Sequence, residues 1–281
     1  MIFSYFIDWS GIFKLLRGMN FALSTLLKDS RILFQRSDMI FNLALEDLRD
    51  RYRRSYLGIA WVTLSFLLFI GIKLLIFSRL NTNIDVNFGI SLIAGFGTWM
   101  FISSVVTEGA NTFNVNKTWI LSTSLPYMTY IFQNTIRNLL SLLLIIMAMF
   151  PLLFLCGMKA SIELLTIIPA IAVLIFASVW TAMFLAPLCT YSKDLDHLLA
   201  LFMRIMFFAT PIIWTPGSDP VLNLIAIINP FYHFIELIRA PILGQGIAMQ
   251  SWLIVILITF VGIIAGAISY IGSQRHIPFW V

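Results

Sequence analysis

From about residue 58 onward, this chain is a series of long apolar runs separated by short polar breaks. About 20 consecutive apolar residues let an α-helix cross a bilayer core, where every backbone group must be satisfied internally. The pattern predicts six spans, at about 58–77, 88–107, 134–156, 164–189, 198–214 and 251–271. Between the fifth and sixth, Pro216, Pro220, Pro230 and Pro241 interrupt apolar runs of about ten residues, too short to span, so this segment is expected to hold re-entrant helices. Ahead of the first span, Ile40, Ala44, Leu48 and Tyr52 recur every four residues, with Glu46, Asp47, Arg49, Asp50 and Arg53 on the other faces. That spacing predicts an amphipathic helix lying in the membrane interface plane. In the last span, Gly262 and Gly266 stand at the small-xxx-small spacing that lets two helices approach closely. The expected architecture is all-α and polytopic, with an N-terminal cytoplasmic segment at 1–57 and a six-helix membrane domain at 58–281.

Composition sharpens this. The chain is 60% hydrophobic and only 11% charged, with a mean hydropathy of +0.93, against roughly 25% charged residues in soluble domains. Of the 18 basic residues, Lys14, Arg17, Lys28, Arg31, Arg36, Arg49, Arg51, Arg53 and Arg54 all precede the first span. By the positive-inside rule this cluster places the N-terminus in the cytoplasm, and an even number of spans returns the C-terminus there. In so apolar a chain the basic patch argues for a membrane surface and against nucleic acid. Cys156 and Cys189 fall near opposite ends of successive spans, which argues against a disulfide. His197, His233 and His276 lie far apart without partners at ligand spacing, so no metal site is expected.

The densest chemistry is at 46–61, EDLRDRYRRSYLGIAW. Arginines at the junction of an amphipathic helix and a span can grip phosphate bidentately, or anchor the helix on anionic lipid headgroups. Tyr56, Trp61, Phe66 and Phe69 descend the first span. Aromatic faces can pack on sugar rings without fixing them, which makes Trp61, Phe66 and Phe69 candidates for a sugar path. Trp99, Trp180 and Trp280 are expected in interfacial belts. Charges within spans need a reason: Lys73 sits near a helix end and can snorkel outward, whereas Arg204 is expected to pair with Glu108 or meet a phosphate. Glu236 and Arg239, three residues apart, share one helical face and are expected to satisfy each other.

The run LRDRYRRSYLGIAW, followed in order by TPIIW at 210–214 and NPFYHFIELIRAPILG at 229–244, resembles the permeases of ABC-type exporters of bacterial O-antigen, capsule and teichoic acid. The resemblance implies a homodimer paired with two copies of a separate ATPase. ATP and Mg would act through that partner, with no cofactor in this chain, which is a transport subunit rather than an enzyme. The chain has no GxxxxGK[ST] phosphate loop of its own. The resemblance further implies a lipid-linked polysaccharide substrate, most specifically O-antigen, and location in the bacterial inner membrane. Arg53, Arg54 and Tyr56 would then receive the substrate's phosphates and first sugars. Trp119 and Ile120, in the long inner loop, would dock the ATPase. Phe66 departs from the proline of many relatives, and Ser122–Ser124 replaces a more basic stretch. Rival readings are a small-molecule or drug exporter, a membrane glycosyl- or acyltransferase built on Asp194, Asp196 and His197, and a channel. The last lacks a polar stripe to line a wet pore.

Overall fold

The computed structural model describes residues 33, 35–80, 86–214, 216–217 and 219–281. The expectations for residues 1–30, with Lys14, Arg17, Lys28 and Arg31, and for the loop at 81–85 lie outside these. All described regular structure is helical. In chain order the helices are α1 (Ser37–Arg51), α2 (Ala60–Leu80), α3 (Val86–Ala110), α4 (Thr112–Val115), α5 (Lys117–Ser122) and α6 (Tyr127–Leu155). A 3₁₀ turn (Ile162–Thr166) leads into α7 (Ile167–Tyr191), followed by α8 (Lys193–Ala209), α9 (Pro220–Ile228), α10 (Pro230–Leu243), α11 (Met249–Ser273) and α12 (Ile277–Trp280).

Four segments are long and apolar enough to cross a membrane: Asn87–Ala110, Tyr127–Leu155, Ile162–Tyr191 and Met249–Ser273. Counting the bent pair α9–α10 as one span gives five, where the sequence pattern gives six. The expected spans at 58–77 and 198–214 account for the difference. The apolar stretch of α2 is the short segment Ala60–Ile76. Helix α8 has 17 residues, with Asp194 and Asp196 in its first turn. It ends at Thr210, which is extended because Pro211 follows and disfavours helical backbone before it.

Helix α3 is the centre of the bundle: 78% of its apolar window is buried, against 22–33% for the other three spanning helices. It packs on α6, α7 and α10, and small residues let neighbours close on it. A Cβ on Gly97 would lie 3.1 Å from Met149 Sδ, and one on Gly109 3.4 Å from Ala182. Helices α7 and α11 approach as closely as the sequence spacing predicts. A Cβ on Gly262 would fall 2.5 Å from the Trp180 ring, and one on Gly266 2.8 Å from the Trp180 carbonyl oxygen.

The apolar stripe of α1 is formed as predicted, with Ile40, Ala44 and Leu48 buried. It is spent on protein rather than on the lipid interface, because α1 packs against α6. The expected re-entrant segment is a pair of short helices bent by 93°. Each has Pro at its start and a side-chain cap: Asp219 accepts from Val221 N at 2.8 Å, and Asn229 from Phe231 N at 2.9 Å. Gly244, at φ 67°, ends α10 in the left-handed conformation that glycine adopts without penalty. His233 fixes the pair, its Nε2 donating to the Ile227 carbonyl at 2.8 Å while Nδ1 meets Ser251 Oγ at 3.1 Å.

Candidate functional site

Close to the end of the bundle that carries α1, a chain of polar side chains runs through otherwise apolar helices. Arg137 on α6 is its hub and is 7% exposed. Its guanidinium donates to Asp47 at 3.1 Å, Glu108 at 3.0 Å and Asn134 at 2.6 Å. Gln133 donates to the same Asp47 oxygen at 2.6 Å, and Arg51 pairs with the other Glu108 oxygen. That bond to Glu108 holds the Arg51 guanidinium above its usual pKa, against burial, which pushes it down. Ser104 donates to Asn138 at 2.7 Å beside the network. Together these groups join α1, α3 and α6. Each charge has an opposite charge in contact, the condition under which partly desolvated ions are tolerated.

The sequence expectation of a Glu108–Arg204 pair is therefore corrected: both Glu108 oxygens are taken by Arg51 and Arg137. Neither Asp47 nor Arg137 stood out in the sequence as a functional position. The available signal was Gln133, Asn134, Arg137 and Asn138, which share one helical face at the start of an apolar run.

Immediately after α1, the chain turns through Arg53 and Arg54 into α2. Among the described residues the Arg53 guanidinium pairs with Asp50 alone, an exposed contact at 3.5 Å. Arg54 adopts a left-handed conformation, φ 69°, unusual for a residue with a Cβ. Both guanidiniums and the Tyr56 ring are exposed, so the three predicted entrance residues stand together at an accessible corner. Trp61, on the first turn of α2, is 39% exposed and donates its indole N–H to Ser55 Oγ at 2.7 Å.

A groove of about 580 Å³ lies between α2, α3 and α8. Phe69, Phe96, Trp99 and Phe207 form much of its wall, with Ser103 and Thr107 on the α3 side and Arg204 on α8. The rings are in mutual contact: Phe69 stacks on Phe96 with centroids 3.9 Å apart, and Phe207 meets Trp99 at 5.8 Å. Of the three expected sugar-path residues, Phe69 lines this groove. Phe66 does not, because it is fully buried beside Gly97 in the α2–α3 packing. The belt expected at Trp99 is also corrected. Trp99 sits in the middle of α3, 5% exposed, against Phe207 and Phe231. Trp180 instead packs over Gly262 within the bundle, and Trp280 stacks on His276 near the C-terminus.

Glu236 and Arg239 pair as predicted, with Arg239 Nε donating to Glu236 at 3.0 Å. The same guanidinium donates to the Pro211 carbonyl, tying α10 to the turn after α8. Lys73 does not extend toward the far end of its helix. Its ammonium lies 4.8 Å from the centroid of Phe69, one turn back, the direction in which helical side chains lean.

In the long loop, α4 and α5 hold down a second apolar cluster of Phe113, Ile120, Tyr130, Ile131, Tyr270 and Ile277. Ile120 is buried in it at 7% exposure, whereas Trp119 is 55% exposed beside exposed Val115 and Leu121. Of the two expected docking anchors, Trp119 is exposed and Ile120 is buried in the cluster beneath the loop.

Spanning helices around a central α3, with an aromatic groove among them, define an integral membrane protein. Residues 40–243 match the family described as ABC-2 type transporter, and the chain belongs to that family. It is 29% identical over 185 residues, 65% of this chain and 71% of the relative, to an O-antigen export system permease protein RfbA of Klebsiella pneumoniae. A protein of the same description from Myxococcus xanthus is 22% identical over 203 residues, 71% of this chain and 78% of the relative. The chain is thus an integral membrane permease of an ABC exporter, a transport subunit.

Proposed function

We propose that this chain is the membrane subunit of an ATP-driven exporter that carries lipid-linked polysaccharide, O-antigen in particular, across the bacterial inner membrane. The observation that carries the proposal is the similarity to O-antigen export permeases over most of the chain, in a family match that takes in both the arginine corner and α10. Two copies form a homodimer and bind two copies of a separate ATPase, which holds ATP and Mg. The basic N-terminal cluster places the N-terminus in the cytoplasm.

In this function Arg53 and Arg54 receive the diphosphate, with a planar fork that matches phosphate oxygens. Tyr56 and Trp61 meet the first sugars. Phe69, with Phe96, Trp99 and Phe207, offers apolar faces on which sugar rings slide without being held by directional bonds. Trp119 docks the ATPase.

Deleting the gene in its source bacterium tests the proposal. Surface polysaccharide is expected to disappear while lipid-linked polymer accumulates on the cytoplasmic side. Full surface polysaccharide with lost resistance to a small toxic compound assigns the chain to a drug exporter instead.

A further inference from the structure

Four charged residues packed inside the bundle, Glu108, Arg137, Glu236 and Arg239, are held in ion pairs. Arg204 is different. It is exposed on α8, lines the aromatic groove, and has no hydrogen-bond or ion-pair partner among the described residues. No carboxylate lines that groove. Phe207, one turn further along α8, meets the edge of Phe69 at 6.4 Å between centroids. Over Phe69 lies the ammonium of Lys73, which has no carboxylate partner among the described residues either. Arg204 on the groove wall and Lys73 over the ring of the lining Phe69 are thus two cations without counter-charges among the described residues. An unpartnered guanidinium or ammonium beside aromatic faces is free to take an anion, and the groove itself supplies none.

Resting on the export function proposed above, we infer that Arg204 and Lys73 are two successive stations for the phosphate groups of the lipid-linked substrate as it passes along the groove. The chemistry they recognise is a phosphate or diphosphate ester bearing an apolar tail. Arg204, whose guanidinium can hold two oxygens, is the tighter station. Lys73 is a point charge already resting on a ring that the substrate's sugars would displace, and so binds more weakly and releases more readily. Ser103 and Thr107 line the groove beside Arg204 and place hydroxyls within its wall.

The test uses the full chain in nanodiscs of zwitterionic lipid, with native mass spectrometry reading bound undecaprenyl diphosphate. Undecaprenol and inorganic diphosphate serve as single-part probes, and a second set of discs contains phosphatidylglycerol. Arg204→Gln is expected to weaken diphosphate-lipid binding at least tenfold, and Lys73→Gln about threefold. Undecaprenol binding should be unchanged in both, and Arg204→Lys and Lys73→Arg should restore part of the affinity. Equal affinity across the variants, or an equal loss for undecaprenol, overturns the inference. So does a variant effect that follows phosphatidylglycerol and not the diphosphate lipid, which would assign the cations to bulk lipid. Surface polysaccharide separates this inference from the function it rests on. If the deletion strain keeps its polysaccharide, export itself is refuted. If the deletion loses it and Lys73→Gln with Arg204→Gln restores it in full, only the two-station site falls.

Discussion

The guanidinium of Arg137 on α6 donates to the carboxylate of Glu108 on α3 at 3.0 Å, and through its other amino group it also holds Asp47 of α1. Three helices thus share one cation. Removing it leaves Asp47 without this ion pair and Glu108 with Arg51 alone, in a partly desolvated site. Arg137→Leu is expected to destabilise the chain by about 3 kcal/mol, the low end for a broken buried pair because Asp47 remains one-third exposed. Thermal unfolding in detergent measures this. Arg137→Lys, which keeps charge but not the fork, should fall between. An Arg137→Leu protein as stable as the wild type would show that packing alone holds α1.

The loop helices separate presentation from support. Trp119→Ala removes an exposed aromatic and is expected to reduce co-purification of the partner ATPase at least tenfold, with the fold intact. Ile120→Asp places a charge in the second apolar cluster and should lower thermal stability before it affects docking. Unchanged ATPase recovery with Trp119→Ala would remove the docking role.

Close approach of α7 and α11 makes a contrast within one motif. Gly262→Ala collides with the Trp180 ring, which a smaller side chain can relieve; Gly266→Ala collides with the Trp180 carbonyl, which no side-chain change can. Each single change is expected to cost about 1–3 kcal/mol. Adding Trp180→Leu should recover stability for Gly262→Ala and not for Gly266→Ala, a non-additivity read in a double-mutant cycle.

The arginine corner tests phosphate geometry against simple anchoring. Arg53→Lys with Arg54→Lys preserves charge but loses bidentate contact. Surface polysaccharide is expected to fall several-fold, with membrane insertion and ATPase binding unchanged. Normal polysaccharide would assign the pair to lipid headgroups.

Much of the helical pattern could be read in the sequence because lipid imposes it: apolar length, prolines and caps mark α3, α6, α7, α9, α10 and α11 directly. The Gly262–Gly266 spacing and the Glu236–Arg239 pair were equally local, each set by a three- or four-residue repeat on one helix. What the sequence hid depends on which face meets which neighbour. In so apolar a chain, Phe66 and Phe69 look alike, and only packing sends the first into the core and the second to the groove. Trp99 resembles a belt residue until α8 and α10 are placed around it. Glu108 and Arg204 seemed natural partners because Arg51, Asp47 and Arg137 come from distant segments that only the fold unites. Likewise the stripe on α1 shows that a face is buried, and not whether lipid or α6 buries it.

The most direct measurement of the central claim is transport by purified components. The chain and its ATPase partner are reconstituted into proteoliposomes with lipid-linked O-antigen in the outer leaflet, then given ATP and Mg outside. The proposed function predicts ATP-dependent movement of the polymer into the lumen, where an added polysaccharide-cleaving enzyme no longer reaches it. Polymer that stays accessible while the same vesicles accumulate a small amphipathic dye would contradict it.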